Sequence, residues 1–209
     1  MTRLTKTWTI LLSLFFFAAC SNPASDQPQA VTKDAAPATS APAGGQKYLI
    51  TPENSKIEFI GSKVTGSHNG SFPKFSGAIE YAGAPEKSRV QITIDTTALT
   101  TDTDKLTEHL KTADFFDVAK YPQASFQSTE VRPGGEKGAT HTITGNFDLH
   151  GVRRSISFPA TIAASADTVN VDSTFSINRK DFGINYAGAS DNLIRDDVVI
   201  KLAIRASKG

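Results

Sequence analysis

Between residue 47 and residue 209 apolar and polar residues alternate one by one. Val90, Ile92 and Ile94 alternate with Gln91, Thr93 and Asp95, and Val198, Ile200, Leu202 and Ile204 with Val199, Lys201, Ala203 and Arg205. Ile143, Gly145, Phe147 and Leu149 share one face, as do Val169, Val171, Ser173, Phe175 and Ile177. Val152, Ile156 and Phe158 share another, with Arg154 as a single charge among them. Shorter stretches of the same kind span residues 47–51, 57–64, 72–81 and 124–131. Alternation of this period predicts antiparallel strands that bury one face. His150-Gly151 and Pro133-Gly134-Gly135 are turn signals between strands. One stretch differs: from Asp102 to Phe116, Leu106, Leu110 and Ala113 recur at helical spacing, with Thr101 or Asp102 as the cap. About eight strands and one helical segment predict an all-β domain, either a closed barrel or a sandwich. The alternation does not choose between them.

The first forty-six residues carry no such pattern. Arg3 and Lys6 precede an apolar run from Trp8 to Ala19 that is too short to span a bilayer, which takes about 20 residues. A basic start, a short apolar core and small residues at its end form the layout of a secretory signal. Phe17-Ala18-Ala19-Cys20 resembles the lipobox of bacterial lipoproteins, with Phe17 where leucine is usual. That resemblance implies cleavage before Cys20 and lipid attachment to its sulfur. Residues 21–46 hold seven Ala, four Pro, three Ser and three Gln, and no aromatic residue. Such a composition predicts a disordered tether of roughly 30 Å r.m.s. span. The expected organisation is a signal peptide over 1–19, a lipid-anchored Ala/Pro-rich linker over 20–46 and one domain over 47–209.

Charge and cysteine usage narrow the chemistry. Lys and Arg number 22 against 21 Asp and Glu, for a net charge of +1, and −1 once residues 1–19 with Arg3 and Lys6 are removed. This is far from the basic field of a nucleic-acid binder. With Cys20 the single cysteine, no internal disulfide or thiolate metal site can form. His68, His109, His141 and His150 show no metal-ligand spacing, and no nucleophile motif is present, so neither a metal, a cofactor nor an enzymatic activity is expected.

Four separated motifs, in order, resemble one family. Leu106-Thr107-Glu108-His109-Leu110-Lys111-Thr112-Ala113-Asp114-Phe115-Phe116, continuing through Tyr121-Pro122 to Phe126, resembles the signature segment of the YceI-like, polyisoprenoid-binding family. Gly145-Asn146-Phe147-Asp148-Leu149-His150-Gly151-Val152 with Ser155-Ile156-Ser157-Phe158-Pro159 resembles its central hairpin, although Arg153-Arg154 departs from the usual Thr-Arg or Thr-Lys pair. Phe175-Ser176-Ile177-Asn178-Arg179-Lys180-Asp181-Phe182-Gly183 and Asp196-Asp197-Val198-Val199-Ile200 resemble its last segments. The resemblance implies a lipocalin-like antiparallel β-barrel holding a long apolar chain, such as a polyisoprenoid, an isoprenoid quinone or a fatty-acid derivative. The candidates for lining that chain are Phe115, Phe116, Phe126, Phe147, Phe158, Phe175 and Phe182, although ordinary core packing accounts for any one of them alone. The candidates for meeting a polar headgroup are His109, His150, Arg154 and Arg179, each of which also serves as a structural or solvated group. Arg154 stands out because an arginine on an inner face needs a partner. The expected function is non-enzymatic carriage or buffering of a lipid in the bacterial envelope, anchored through Cys20 to the outer membrane and facing the periplasm. The alternative is a structural or stress-response lipoprotein whose barrel is filled by its own side chains. The oligomeric state stays open, a homodimer included.

Overall fold

The alternating stretches resolve into strands in a computed structural model that describes residues 22–37, 44–189 and 192–209. Cys20 and the apolar leader before it lie outside the described residues. In chain order the elements are β1 (Val31–Asp34), β2 (Gln46–Ile50), β3 (Lys56–Lys63), β4 (Gly66–Ser71), β5 (Phe75–Tyr81), β6 (Arg89–Asp95) and β7 (Thr100–Thr101). Then follow α1 (Asp104–Lys111), β8 (Gln123–Pro133), β9 (His141–Leu149), β10 (Val152–Ala164), β11 (Thr168–Asn178), β12 (Gly188–Ala189), β13 (Asn192–Leu193) and β14 (Asp197–Lys208).

Eight strands close into an antiparallel barrel in the order β2, β5, β6, β8, β9, β10, β11, β14 and back to β2. The fold is all-β, as the alternation predicts, and each of the eight strands pairs with two neighbours of the ring. On β6, Val90, Ile92 and Ile94 point inward while Gln91 and Thr93 face solvent. β9 and β10 join through a two-residue turn in which His150 and Gly151 both take positive φ, 54° and 75°, as a tight hairpin requires. β3 continues along the β14 edge beyond β2, and β4 and β7 extend this flap of sheet outward from β3. α1 is shorter than the predicted span. The Thr103 hydroxyl accepts from the Leu106 N–H at 3.4 Å, and at Thr112 the backbone turns extended. Residues 112–121 form turns instead.

The larger correction concerns the predicted tether. β10 and β11 pair only over residues 161–164 and 169–172, then separate. β1 occupies the split. It runs antiparallel to residues 154–157 of β10. Just before it, the Ala30 N–H donates to the Ser176 carbonyl of β11 at 2.8 Å, and the Ser176 N–H donates to the Pro28 carbonyl at 2.9 Å. The Asn146 side chain on β9, fully buried, accepts from the Ala36 N–H at 2.9 Å and donates to its carbonyl at 2.8 Å. Residues 22–37 are therefore part of the folded unit and not free linker. The composition of this segment could not bury a core of its own, but the open strand edges of β10 and β11 satisfy its backbone groups.

Candidate functional site

The barrel interior is apolar because each strand contributes its alternate residues to it. The lumen holds a cavity of about 90 Å³ walled by Ile92, Ile94, Ile143, Ile156, Ile177 and Leu202 among others. Space for several water-sized spheres exceeds ordinary packing defects. Phe126, Phe147, Phe158 and Phe175 also line it, and among the described residues Glu58, itself exposed, is the one charged residue on its border. Phe158 and Phe175 stack at 4.2 Å with their planes 9° apart, and Phe126 tilts against Phe158 at 5.7 Å. Phe158 and Phe175 stack just where β10 and β11 cease to pair.

A second cavity of about 110 Å³ lies beneath α1. Leu106 and Leu110 of the helix roof it, Phe115 and Phe116 come from the turns that follow, and Ile184, Ile194 and Val198 close the far side. Its border carries Ser62, Lys63, His68, Arg179 and Arg195. The Ser62 hydroxyl and the Arg195 Nε are buried with no hydrogen-bond partner among the described residues, an arrangement that a bound polar group would relieve. The exposed side chains of Val64 and Leu193 stand close by, joined by a bond from the Val64 N–H to the Leu193 carbonyl at 3.2 Å.

Arg179 is held within the fold. Its guanidinium donates to the Ile184 carbonyl at 2.7 Å, the Arg195 carbonyl at 3.2 Å and Asp196 Oδ1 at 3.0 Å. Burial pushes its pKa down from the ordinary value, and Asp196 opposes that shift. On the flap, His68 Nδ1 lies 2.9 Å from Asp102 Oδ1, and the Asn69 N–H donates to Oδ2. Burial alone would raise the Asp102 carboxyl, but these contacts and the nearby His68 hold it below its ordinary value.

The structure divides the candidate residues into three groups. Phe126, Phe147, Phe158 and Phe175 line the lumen, and Phe115, Phe116 and Arg179 line the chamber under α1. Phe182 borders neither cavity and packs, fully buried, against Phe147 at 5.2 Å. His109, His150 and Arg154 also border neither. His109 pairs with Asp114 at 2.9 Å and meets Phe115 and Tyr186 edge-on. His150 Nδ1 lies 3.2 Å from the Phe182 carbonyl, with its ring against Tyr121. Arg154 is not an inward charge: its side chain is half-exposed and pairs with the exposed Asp34 of β1 at 2.7 Å, while its Nε donates to the Asp181 carbonyl at 3.4 Å. Sequence reasoning missed the roles of Phe59, Phe72, Ser62 and Arg195. Alternation with Ile57 signals Phe59, but no local pattern marks the other three. Among the described residues, no group of three His, Cys, Asp or Glu side chains is placed to hold a metal ion.

Comparison with known proteins agrees with this architecture. The solved structure of Burkholderia cenocepacia BcnA matches with a TM-score of 0.67 at 25% identity, over 76% of this chain and 99% of that one. A polyisoprenoid binding domain from Saccharophagus degradans, implicated in plant cell wall breakdown, shares the fold with a TM-score of 0.62 at 19% identity, over 79% and 99% of the two chains. A UPF0312 protein of Pseudomonas putida strain W619 is 33% identical over 140 residues, which is 64% of this chain and 72% of its own length. Another, from Pseudomonas syringae pv. tomato, is 32% identical over 167 residues, 74% and 84% of the respective chains. The YceI-like domain matches residues 48–206, which takes in all of the barrel but the two outermost residues of β2 and of β14, and the chamber under α1. This chain belongs to the YceI-like family.

Proposed function

We propose that the protein binds the apolar chain of a lipid, a polyisoprenoid, an isoprenoid quinone or a fatty-acid derivative, inside its barrel, and carries or buffers it without chemical change. The observation that supports this most directly is the lumen itself: a cavity inside the barrel with aliphatic and aromatic walls. Such walls offer contact area to a hydrocarbon chain and little to a polar substrate. Membership of the YceI-like family and the polyisoprenoid-binding activity named for the Saccharophagus degradans domain point the same way. Ser62, Lys63, Arg179 and Arg195 gather at the chamber under α1 and offer polar contacts to the end of a chain long enough to reach it. No cofactor is required.

The Phe17-Ala18-Ala19-Cys20 sequence supports lipid attachment at Cys20 and placement in the bacterial envelope, at the outer membrane facing the periplasm. Two or more acyl chains anchor a protein stably, whereas one gives marginal binding. Intact-mass measurement of the mature protein tests this: a lipid adduct on Cys20 is expected, and an unmodified Cys20 at the mature terminus refutes it.

Lipid binding is tested by native mass spectrometry and lipid extraction of the protein purified from a bacterial host. A co-purifying prenyl or acyl species is the expected result. Protein that emerges empty and takes up no added prenyl alcohol would instead favour a barrel serving a structural or stress-response role.

A further inference from the structure

Three phenylalanines meet where the two cavities adjoin. Phe72 lies on the wall of the lumen, and Phe59 and Phe116 lie on the wall of the chamber under α1. On β3, Ile57 borders the lumen and Phe59, two residues along the same face, borders the second chamber. On β14, Ile200 and Val198 divide in the same way. The cavities thus follow one another along the same inward faces of β3 and β14, with the three rings between them. Phe59 and Phe72 have centroids 5.4 Å apart, Phe72 and Phe116 5.7 Å, and Phe59 and Phe116 6.3 Å.

Phe59 is seated on Gly70, where an added Cβ would come within 2.1 Å of its Cζ, so the chain leaves space for this ring at one position on β4. Phe116 comes from the turns after α1 and is half-buried, so it is the ring with the most freedom to turn. The two cavities are of similar size, about 90 and 110 Å³, and joining them roughly doubles the space for a chain.

We propose that Phe59, Phe72 and Phe116 form an aromatic partition that sets the length of apolar chain the barrel accepts. Closed, the partition confines a short chain to the lumen. Swung aside, it lets a long chain run from the lumen to the space beneath α1. This rests on the reading that the barrel holds an apolar chain. A long chain then has to displace rings that a short chain leaves in place, so trimming a ring favours long chains selectively.

The test measures binding of farnesol (three isoprene units) and solanesol (nine units) to delipidated protein by native mass spectrometry from detergent. Phe72→Ala and the milder Phe116→Leu are compared with the unaltered chain. In each variant the solanesol-to-farnesol affinity ratio should rise by about tenfold, the order expected when ring contacts and a favoured rotamer need no longer be given up. Phe175→Ala, which trims a lumen ring away from the partition, should weaken both ligands together. If both alcohols bind and the ratio is unchanged in Phe72→Ala and Phe116→Leu, the partition is overturned while lipid binding stands. If neither alcohol binds the unaltered chain, the underlying reading fails, and the partition with it.

Discussion

Asn146→Ala isolates the docking of the N-terminal segment. In the folded protein this side chain is fully buried and makes two hydrogen bonds, both to the backbone of Ala36. Each bond contributes about 0.5–1.5 kcal/mol net, so losing both costs about 1–3 kcal/mol. The cost falls on one unit, because the segment can lift off the barrel and rehydrate Ala36 without unfolding any of the eight closed strands. Hydrogen exchange separates the two cases. The Ala30 N–H, bonded to the Ser176 carbonyl, reports on the segment, and the amides of β6 and β8 report on the barrel. Protection at Ala30 should fall by about 5- to 150-fold, the equivalent of that energy. Protection in β6 and β8 should stay unchanged. Uniform loss through the barrel, or no loss at Ala30, would refute the assignment of the segment as a separately docked strand.

Phe182→Ala should destabilise the barrel by about 3–5 kcal/mol, read as a lower urea midpoint, because a fully buried ring leaves a cavity against Phe147. Arg179→Met strips hydrogen bonds from the Ile184 and Arg195 carbonyls and should cost about 3 kcal/mol, lowering Tm by about 6–12 °C in a calorimetric scan. Arg154→Ala removes an ion pair whose partner Asp34 is 97% exposed, so a change in the urea midpoint equivalent to at most about 1 kcal/mol is expected. Because the Asp102 carboxyl is held below its ordinary value of 3.8, its contribution to stability is complete above that pH and disappears as pH falls through the lowered value. Urea midpoints measured down to about pH 2 should therefore fall less steeply in Asp102→Asn than in the unaltered chain.

How much of this was legible in the sequence depends on whether the signal is local. The inward faces of β6, β11 and β14 show as alternation because each such strand buries one side in the lumen. The His150-Gly151 turn shows because tight hairpins demand left-handed backbone there. β4 escaped notice because Gly66-Ser67-His68-Asn69-Gly70-Ser71 holds no apolar residue, and its register is set by β3 and by the Phe59 ring over Gly70. β1 escaped because what holds it, the diverging edges of β10 and β11 and the amide of Asn146, lies more than a hundred residues away. Composition measures whether a segment can bury itself, and it is silent on whether another part of the chain offers a groove. The same limit applied to the site. The lumen phenylalanines follow from strand parity, but the chamber under α1 gathers residues from β3, the helix and the loops around Ile184 and Ile194, which no periodicity links.

The docked N-terminal segment also governs how the barrel would sit on a bilayer. A free coil from Cys20 to residue 46 would let the barrel turn in any direction. With the folded unit already under way at Asn22, lipid chains attached at Cys20, as proposed above, would be tethered to it through two residues, at most about 7 Å of extended chain. The flank where β10 and β11 part would then be berthed at the lipid surface, and the molecule would have a membrane side and a periplasmic side. Lipid exchange by such a molecule becomes a matter of orientation as well as of affinity.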